Sequence, residues 1–384
     1  MKRWPTKPLG EITVCVDGQR LPVNDSDRQK RLGSIPYYGA NGQVGWIDEA
    51  LFNEPLLLIA EDGGHFDDPR RGVAYTINGP SWVNNHAHAL RPDTSQVSLG
   101  FLGHYFRHYD FRPYVTGTTR SKLTQRDLLR IQTPVPPLAE QERIVRLLDE
   151  ADGLRKLRAQ ADRRTADLIP ALFHEMFGDP ATNPKGWPCQ RLAGACQGDA
   201  GIKAGPFGSS LKKSHYSCEG PRVYGQEQVI AGNFSIGNYR ISERKYAEMM
   251  AYKIIPGDIL ISLVGTIGKA VVVPEKTEPG IINPRLLRVR VRKELLHPTY
   301  LVELLRLPAI GRILGSVATG MTMGVLNARL LKGLLIPIPP IASQEEFAQL
   351  VSEIRQLEAT QATSRARLDA LFRSMLHRAF NGGL

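Results

Sequence analysis

Ile131-Gln132-Thr133-Pro134-Val135-Pro136-Pro137-Leu138-Ala139-Glu140-Gln141-Glu142-Arg143-Ile144 decides the fold, because the chain writes this passage twice. Its echo is Ile336-Pro337-Ile338-Pro339-Pro340 with Gln344-Glu345, at a constant offset of 203 residues. The same offset carries Thr116-Gly117 onto Thr319-Gly320, Leu168 onto Leu371 and Phe177 onto Phe380. Residues 116–178 therefore recur without a gap at 319–381. A shorter echo begins each half: Trp4-Pro5 with Leu9, then Trp187-Pro188 with Leu192, at an offset of 183. One building block is present in two copies. Each copy has a variable body followed by a constant tail.

The tails read as helices. Past the proline stop at Pro134–Pro137, charged and apolar residues alternate at helical spacing, and the second tail replays this after Pro337–Pro340. Ile144, Leu147, Ala151, Leu154, Ala161, Leu168 and Leu172 form a 3-4 stripe interrupted by Arg158 and Thr165. Phe347, Leu350, Ile354, Leu357, Leu368, Leu371 and Met375 form the other, with Gln361 and Ser364 in the middle. Such stripes predict two helices of about 60 Å packed as a coiled coil. Gly153 and Pro170 leave a helical hairpin open for the first copy, whereas Gln356 and Arg373 stand at the matching positions of the second. Ser343 with Glu346 suggests a capping box. An antiparallel pair would put the bodies at opposite ends, like a dimer fused into one chain.

The bodies read as β-rich. Glycine and proline punctuate short apolar runs such as Leu56–Ile59 and Val73–Tyr75, and later Ile259–Ile261 and Ala270–Val273. Ser98–Phe111 is the helix-like exception. The expected class is α+β: two β-rich domains separated by a pair of long antiparallel helices, with pseudo-two-fold symmetry. The expected division is a first domain at 1–137, a helix at 138–180, a second domain at 181–340 and a second helix at 341–384.

The net charge of +11 points toward a polyanionic partner. Charge by itself does not separate that from a basic protein without one. Four irregularly spaced cysteines with no CxxC pair exclude a disulfide framework and suit a reducing cytoplasm. Met1-Lys2-Arg3 leads into Trp4-Pro5 with no apolar stretch behind it, so no secretory signal is expected. No apolar run approaches the ~20 residues of a membrane span.

Catalytic signatures are weak. Asn183-Pro184-Lys185 and Asn283-Pro284-Arg285 lack the second proline and the aromatic of an amino-methyltransferase motif. Gly265-Thr266-Ile267-Gly268-Lys269-Ala270 is too short for a P-loop and has alanine where a hydroxyl would bind magnesium, so a strand–turn–strand element is expected. His104 and His108, with His86 and His88, lack a Cys or acidic partner at metal-ligand spacing. Glu61-Asp62 and Asp67-Asp68 lack a following acidic-x-Lys and read as a solvated loop.

Taken together, the doubled Pro-Pro…Gln-Glu segments resemble the specificity subunit of a type I restriction–modification system. So do Ile35-Pro36-Tyr37-Tyr38-Gly39, Trp82–His88, Gly205-Pro206-Phe207-Gly208-Ser209, Pro256–Ser262 and Gly265–Gly268, which are similar to target-recognition-domain signatures. Ser343 departs from the pattern, which has an acidic residue before the glutamine, as at Glu140-Gln141. The resemblance implies a subunit that binds double-stranded DNA at a bipartite site and catalyses nothing itself. Two methyltransferase subunits would bring S-adenosylmethionine chemistry, and two motor-nuclease subunits with ATP and Mg2+ can join. No cofactor or metal is expected in this chain. A restriction–modification polypeptide with its own active site and a helical protein-binding scaffold are the alternatives.

Base edges are read by amide, hydroxyl and cationic side chains, and phosphates are held by cations and hydroxyls. The candidates in the first body are Tyr37, Asn41, His65, Asn84, Asn85 and His86, with Thr118, Thr119, Arg120 and Lys122 for phosphate. A hydrogen-bonded turn is the equal alternative for Asn84–His86. In the second body they are Lys203, Ser209, Ser210, Lys212, Lys213, Thr266 and Lys269. Helix-packing and subunit-docking candidates are Ile144, Leu147, Leu154, Leu168, Phe347, Leu350, Ile354, Leu357 and Leu371.

Overall fold

The computed structural model describes residues 4–68, 71–117, 121–207, 210–263, 269–318 and 328–384. The chain forms two compact units, Met1–Ala159 with Ala362–Leu384 and Gln160–Gln361. Each unit holds one body together with a stretch of each long helix.

In unit 1 a four-stranded antiparallel sheet runs in the order Thr13–Cys15, Ala87–Pro92, Leu56–Ala60, Ala74–Ile77. Its strand Leu56–Ala60 is apolar throughout because both faces are covered. Side chains alternate across a strand, so Leu57 and Ile59 pack with Phe101, Leu102 and Phe106, while Leu56 and Leu58 pack with Phe52, Val83 and Ala89. Phe101, Leu102 and Phe106 lie on the helix Leu99–Arg107, which Ser98 N-caps through the Phe101 N–H. A second sheet runs Gly42–Ile47, Ile35–Gly39, Pro80–Val83, Phe52–Asn53, and Ile35–Gly39 pairs in parallel with Pro80–Val83.

Unit 2 repeats this path with different residues. Its four-stranded sheet is Ile202–Ala204, Leu286–Val289, Ile259–Ser262, Ala270–Val272, and its second sheet pairs Tyr216–Tyr224 in parallel with Gly280–Ile282. The helix Pro298–Arg306 takes the place of Leu99–Arg107. The strands flanking Gly265–Gly268 do pair antiparallel, Ile259 with Val272 and Ile261 with Ala270, while residues 264–268 lie outside the described residues.

The sequence echoes mark how each body closes. Thr6–Pro8 pairs with Gln132–Pro134, and Cys189–Arg191 pairs with Leu335–Pro337. Leu9 N–H donates to Ile131 O and Leu192 N–H to Leu334 O, the same bond under offsets of 183 and 203. Gln141 and Gln344 are fully buried. The Gln141 amide nitrogen donates to Gln96 O and Pro136 O while its oxygen accepts from Ser98 N–H. Gln344 makes the same three bonds, to Leu295 O, Pro339 O and His297 N–H. The doubled Gln-Glu motif thus clamps each helix start to its body.

The first long helix is Leu138–Ala166, and after Asp167 it resumes as Leu168–Phe177. Pro170 has no N–H to give the carbonyl of Ala166, which explains the break. Gly153 does not interrupt it. The second helix, with Arg373 at the matching position, is continuous over Ile341–Phe380. It starts two residues before Ser343, so the expected capping box is not its N-terminus. Within each unit the two helices run antiparallel. In unit 1 Arg155 meets Asp369 at 2.8 Å and lies over the Phe372 ring, and Arg143 donates to Leu384 O. In unit 2 Gln361 donates to Thr165 Oγ1 at 3.0 Å, and Phe173 packs on Phe347.

The seam is offset from the predicted stripe. Ile144 and Phe347 are buried, and Leu147, Leu350 and Ile354 are partly buried. Leu154, Leu168, Leu357 and Leu371 are 51%, 43%, 45% and 55% exposed. Their places are taken by Leu148, Ile169, Phe173, Val351 and Phe372.

Candidate nucleic-acid interface

In unit 1 several predicted residues converge at the loop that follows strand Leu56–Ala60. Glu61 N–H donates to His86 O and Leu123 N–H donates to Glu61 O. Those bonds bring residues 84–86 and 122–123 to the loop. Asn41 Nδ2 donates to Gly63 O at 3.0 Å. Lys122 Nζ sits 3.1 Å from Glu61, and His86 Nδ1 lies 2.6 Å from Asp62 Oδ1. His65 stands further along the loop against the Arg71 guanidinium. Asn85 is exposed. This rim offers amides, imidazoles and a cation to a ligand, with Asp62 orienting His86. Sequence reasoning missed that role for Asp62.

Two predictions are corrected. Tyr37 is buried, with its hydroxyl donating to Val23 O and Arg28 stacked on its ring, so it supports the second sheet instead of reaching a ligand. Asn84 is also buried and makes the turn: its side-chain oxygen accepts from His86 N–H at 2.9 Å. Unit 2 builds the same turn from Asn283, whose oxygen accepts from Arg285 N–H at 2.9 Å. The backbone agrees, since Asn84 N–H donates to Tyr38 O and Asn283 N–H to Tyr224 O. Arg285, exposed and two residues past its asparagine, is therefore the counterpart of His86. The shared signal, Asn-x-cation after a short apolar strand, is visible in the sequence only once the strands are matched.

In unit 2 Lys203 lies over the Tyr252 ring, and Ser210, Lys212, Lys213 and Lys269 are exposed. Thr118, Thr119, Arg120, Ser209 and Thr266 lie outside the described residues.

The remaining polar clusters have structural explanations. His104 is buried and bonds Asp149 at 2.8 Å, and His108 packs edge-on against Phe372. Cys15, Asp17 and His88 approach within 4.8 Å of one another, a spacing that could hold a metal. Yet Arg20 lies 3.2 Å from Asp17, where its charge opposes a cation. His88 spends its nitrogens on Asp17 at 2.5 Å and Leu123 O at 2.9 Å. Burial pushes the Cys15 thiol up to about 11, which disfavours the thiolate a metal needs. Burial works against the Asp17 carboxylate too, but the bonds from His88 and Ala89 N–H and the Arg20 charge outweigh it and hold Asp17 below its usual value.

Residues 1–161 match the family described as the type I restriction modification DNA specificity domain. The chain is 27% identical over 362 residues to a protein of Haemophilus influenzae named as a type I restriction enzyme specificity subunit, covering 91% of this chain and 87% of that one. It is 24% identical to the type I restriction enzyme EcoKI specificity subunit of Escherichia coli K12, covering 99% and 89%. Among solved structures, the type I restriction-modification system S subunit from M. genitalium superposes with a TM-score of 0.61 at 14% identity, over 98% of this chain and 96% of that one. A chain from a type I R-M assembly superposes at 0.60 with 19% identity, covering 100% and 99%. The doubled body, the glutamine clamps and the antiparallel helices agree with these likenesses: residues 1–161 carry the type I restriction modification DNA specificity domain, and the chain as a whole is similar to type I specificity subunits.

Proposed function

We propose that this chain reads an asymmetric, bipartite duplex site, one half with each body, and that its helices dock two methyltransferase subunits. The observation that carries this reading is one turn with two outputs. Asn84 and Asn283 hold equivalent backbone, and they present His86 in one unit and Arg285 in the other. Arginine pairs bidentately with guanine, whereas imidazole makes a single bond, so equivalent positions would select different bases. Asn41, His65, Asn85, His86 and Lys122 would serve one half-site. Lys203, Ser210, Lys212, Lys213, Lys269 and Arg285 would serve the other. The functional division is then 1–137 and 181–340 for recognition, with 138–180 and 341–384 as spacer helices.

The exposed leucines support the docking role. Leu154 and Leu357 are equivalent under the 203-residue offset, as are Leu168 and Leu371. In unit 1 Arg155 faces Asp369 and Phe372, which brings Leu154 level with Leu371. In unit 2 the Thr165–Gln361 contact brings Leu168 level with Leu357 in the same way. Each unit thus offers two exposed leucines at the same level of its helices, a duplicated arrangement suited to two copies of one partner. The partners that complete the complex are methyltransferase and restriction subunits, and S-adenosylmethionine, ATP and Mg2+ belong to them. Among the described residues no helix is long and apolar enough to cross a membrane. The four unpaired cysteines suit the cytoplasm.

Mapping methylated adenines genome-wide, with and without this chain and with its methyltransferase partner present, tests the reading. A two-part motif with a fixed gap, present only with the chain, is expected; methylation that ignores the chain would overturn it.

A further inference from the structure

We propose that Phe207 is a DNA wedge, packing its ring against an opened base step in the half-site served by unit 2. This rests on the bipartite reading above and adds a residue and a mechanism to it.

Phe207 is 78% exposed, although the described residues before and after it are held to the body. Upstream, Gly205 N–H donates to Leu286 O, and a Cβ on Gly205 would collide with the Asn283 carbonyl oxygen. The segment is thereby pressed against the Asn283 turn that presents Arg285. Pro206 is buried beside it. Downstream, Ser210 N–H donates to Phe207 O at 3.1 Å, and Leu211 is buried with Val223, Ile241, Met249 and Ile281. Among the described residues, no ring stacks on Phe207 and no cation lies over it.

The charge around it names the partner. Between Asp199 and Glu219 the chain has no carboxylate, while Lys203, Lys212 and Lys213 flank the phenylalanine. Lys212 and Lys213 are exposed, and Lys203 lies over Tyr252. An apolar ring flanked along the chain by cations suits a polyanion with π-faces: the lysines hold phosphate and the ring replaces a neighbouring base in the stack. An acidic protein surface would satisfy the lysines and leave the ring without a partner.

The test uses the full chain assembled with its methyltransferase subunits on its own mapped site. Duplexes carry 2-aminopurine at successive positions of each half-site, away from the adenine that the methyltransferase flips. Wild type is expected to raise emission at one step, in the half-site served by unit 2 alone. Phe207→Ala is expected to abolish that signal and weaken binding about 5- to 150-fold, the range of one lost base stack. It should keep the same salt dependence, because the lysines remain. Phe207→Trp should restore both. The melting temperature of Phe207→Ala should match wild type, since the ring is exposed. The wedge is overturned if Phe207→Ala binds within twofold of wild type with an unchanged emission profile. It is also overturned if the loss traces wholly to failed assembly with the methyltransferase subunits, measured by size-exclusion chromatography. If wild type itself shows no two-part preference, the bipartite reading falls instead.

Discussion

In unit 1 the strand Thr13–Cys15 runs into Asp17, whose carboxylate is tied to Arg20, His88 and the Ala89 N–H. In unit 2 the matching strand Ile202–Ala204 runs into Gly205-Pro206 and delivers Phe207 to solvent. The backbone enters both loops alike, with Val16 N–H on Ala89 O and Gly205 N–H on Leu286 O. At Asp17 the side chain turns inward and cements a body, whereas Phe207 is left exposed. The pair teaches that frame and surface vary separately in this chain. Residues that maintain the frame, such as Gln141 and Gln344 or Asn84 and Asn283, repeat with their bonds. The side chains between them do not.

The largest effect is expected where the frame is broken. Gln141→Leu and Gln344→Leu each orphan one buried carbonyl, one partly buried carbonyl and an N–H, a loss of about 2–5 kcal/mol. Chemical denaturation should give similar losses for both, with hydrogen exchange rising at Ser98–Phe101 for the first and His297–Leu301 for the second. Unequal losses would mean that the two clamps are not equivalent. Next come the readers. Arg285→Ala should lower discrimination by about 1–3 kcal/mol per base contacted, and His86→Ala by less, each in one half-site only. Competition binding against single-base variants of each half-site checks this, and a change in both halves from one substitution would break the comparison. The leucine patches should then separate docking from folding. Leu154→Asp with Leu371→Asp, or Leu168→Asp with Leu357→Asp, should each cost about one bound methyltransferase subunit by native mass spectrometry. Each should shift stability by less than about 1 kcal/mol, because the side chains are exposed. The smallest effect concerns acid. Asp17 is held below the ordinary aspartate value of 3.8, so its contribution is complete above that value and fades as pH falls below it. Asp17→Asn should flatten the acid limb of the stability curve measured by denaturation between pH 5 and about 2. Pro206→Ala, in the matching loop of unit 2, should leave that limb unchanged.

Much of the frame was legible in the sequence because it depends on strong local chemistry. Pro136-Pro137 and Pro339-Pro340 stop one element and start a helix in both copies, and the tryptophan echoes mark the closing strands. The shared topology of the bodies was not legible. A buried strand needs only apolar residues at the right places, so Leu56–Ala60 and Ile259–Ser262 perform one task without resembling each other. The helix seam was misplaced because two apolar stripes lie one residue apart. Leu147 and Leu148 both keep helical spacing with Ile144, at three and four residues, and only packing shows which of them turns inward. Arg285 was missed because Asn283-Pro284 was weighed as a fragment of a methyltransferase motif and not as a turn. Tyr37 was overvalued because the sequence does not show which aromatic of Tyr37-Tyr38 the second sheet buries.

The decisive measurement is the adenine methylation pattern of cells in which residues 1–137 of this chain are replaced by the corresponding body of a similar protein. One half of the target should change while the other half keeps its bases. A change in both halves, or a wild-type target that proves to be a single uninterrupted sequence, would contradict independent reading by the two bodies.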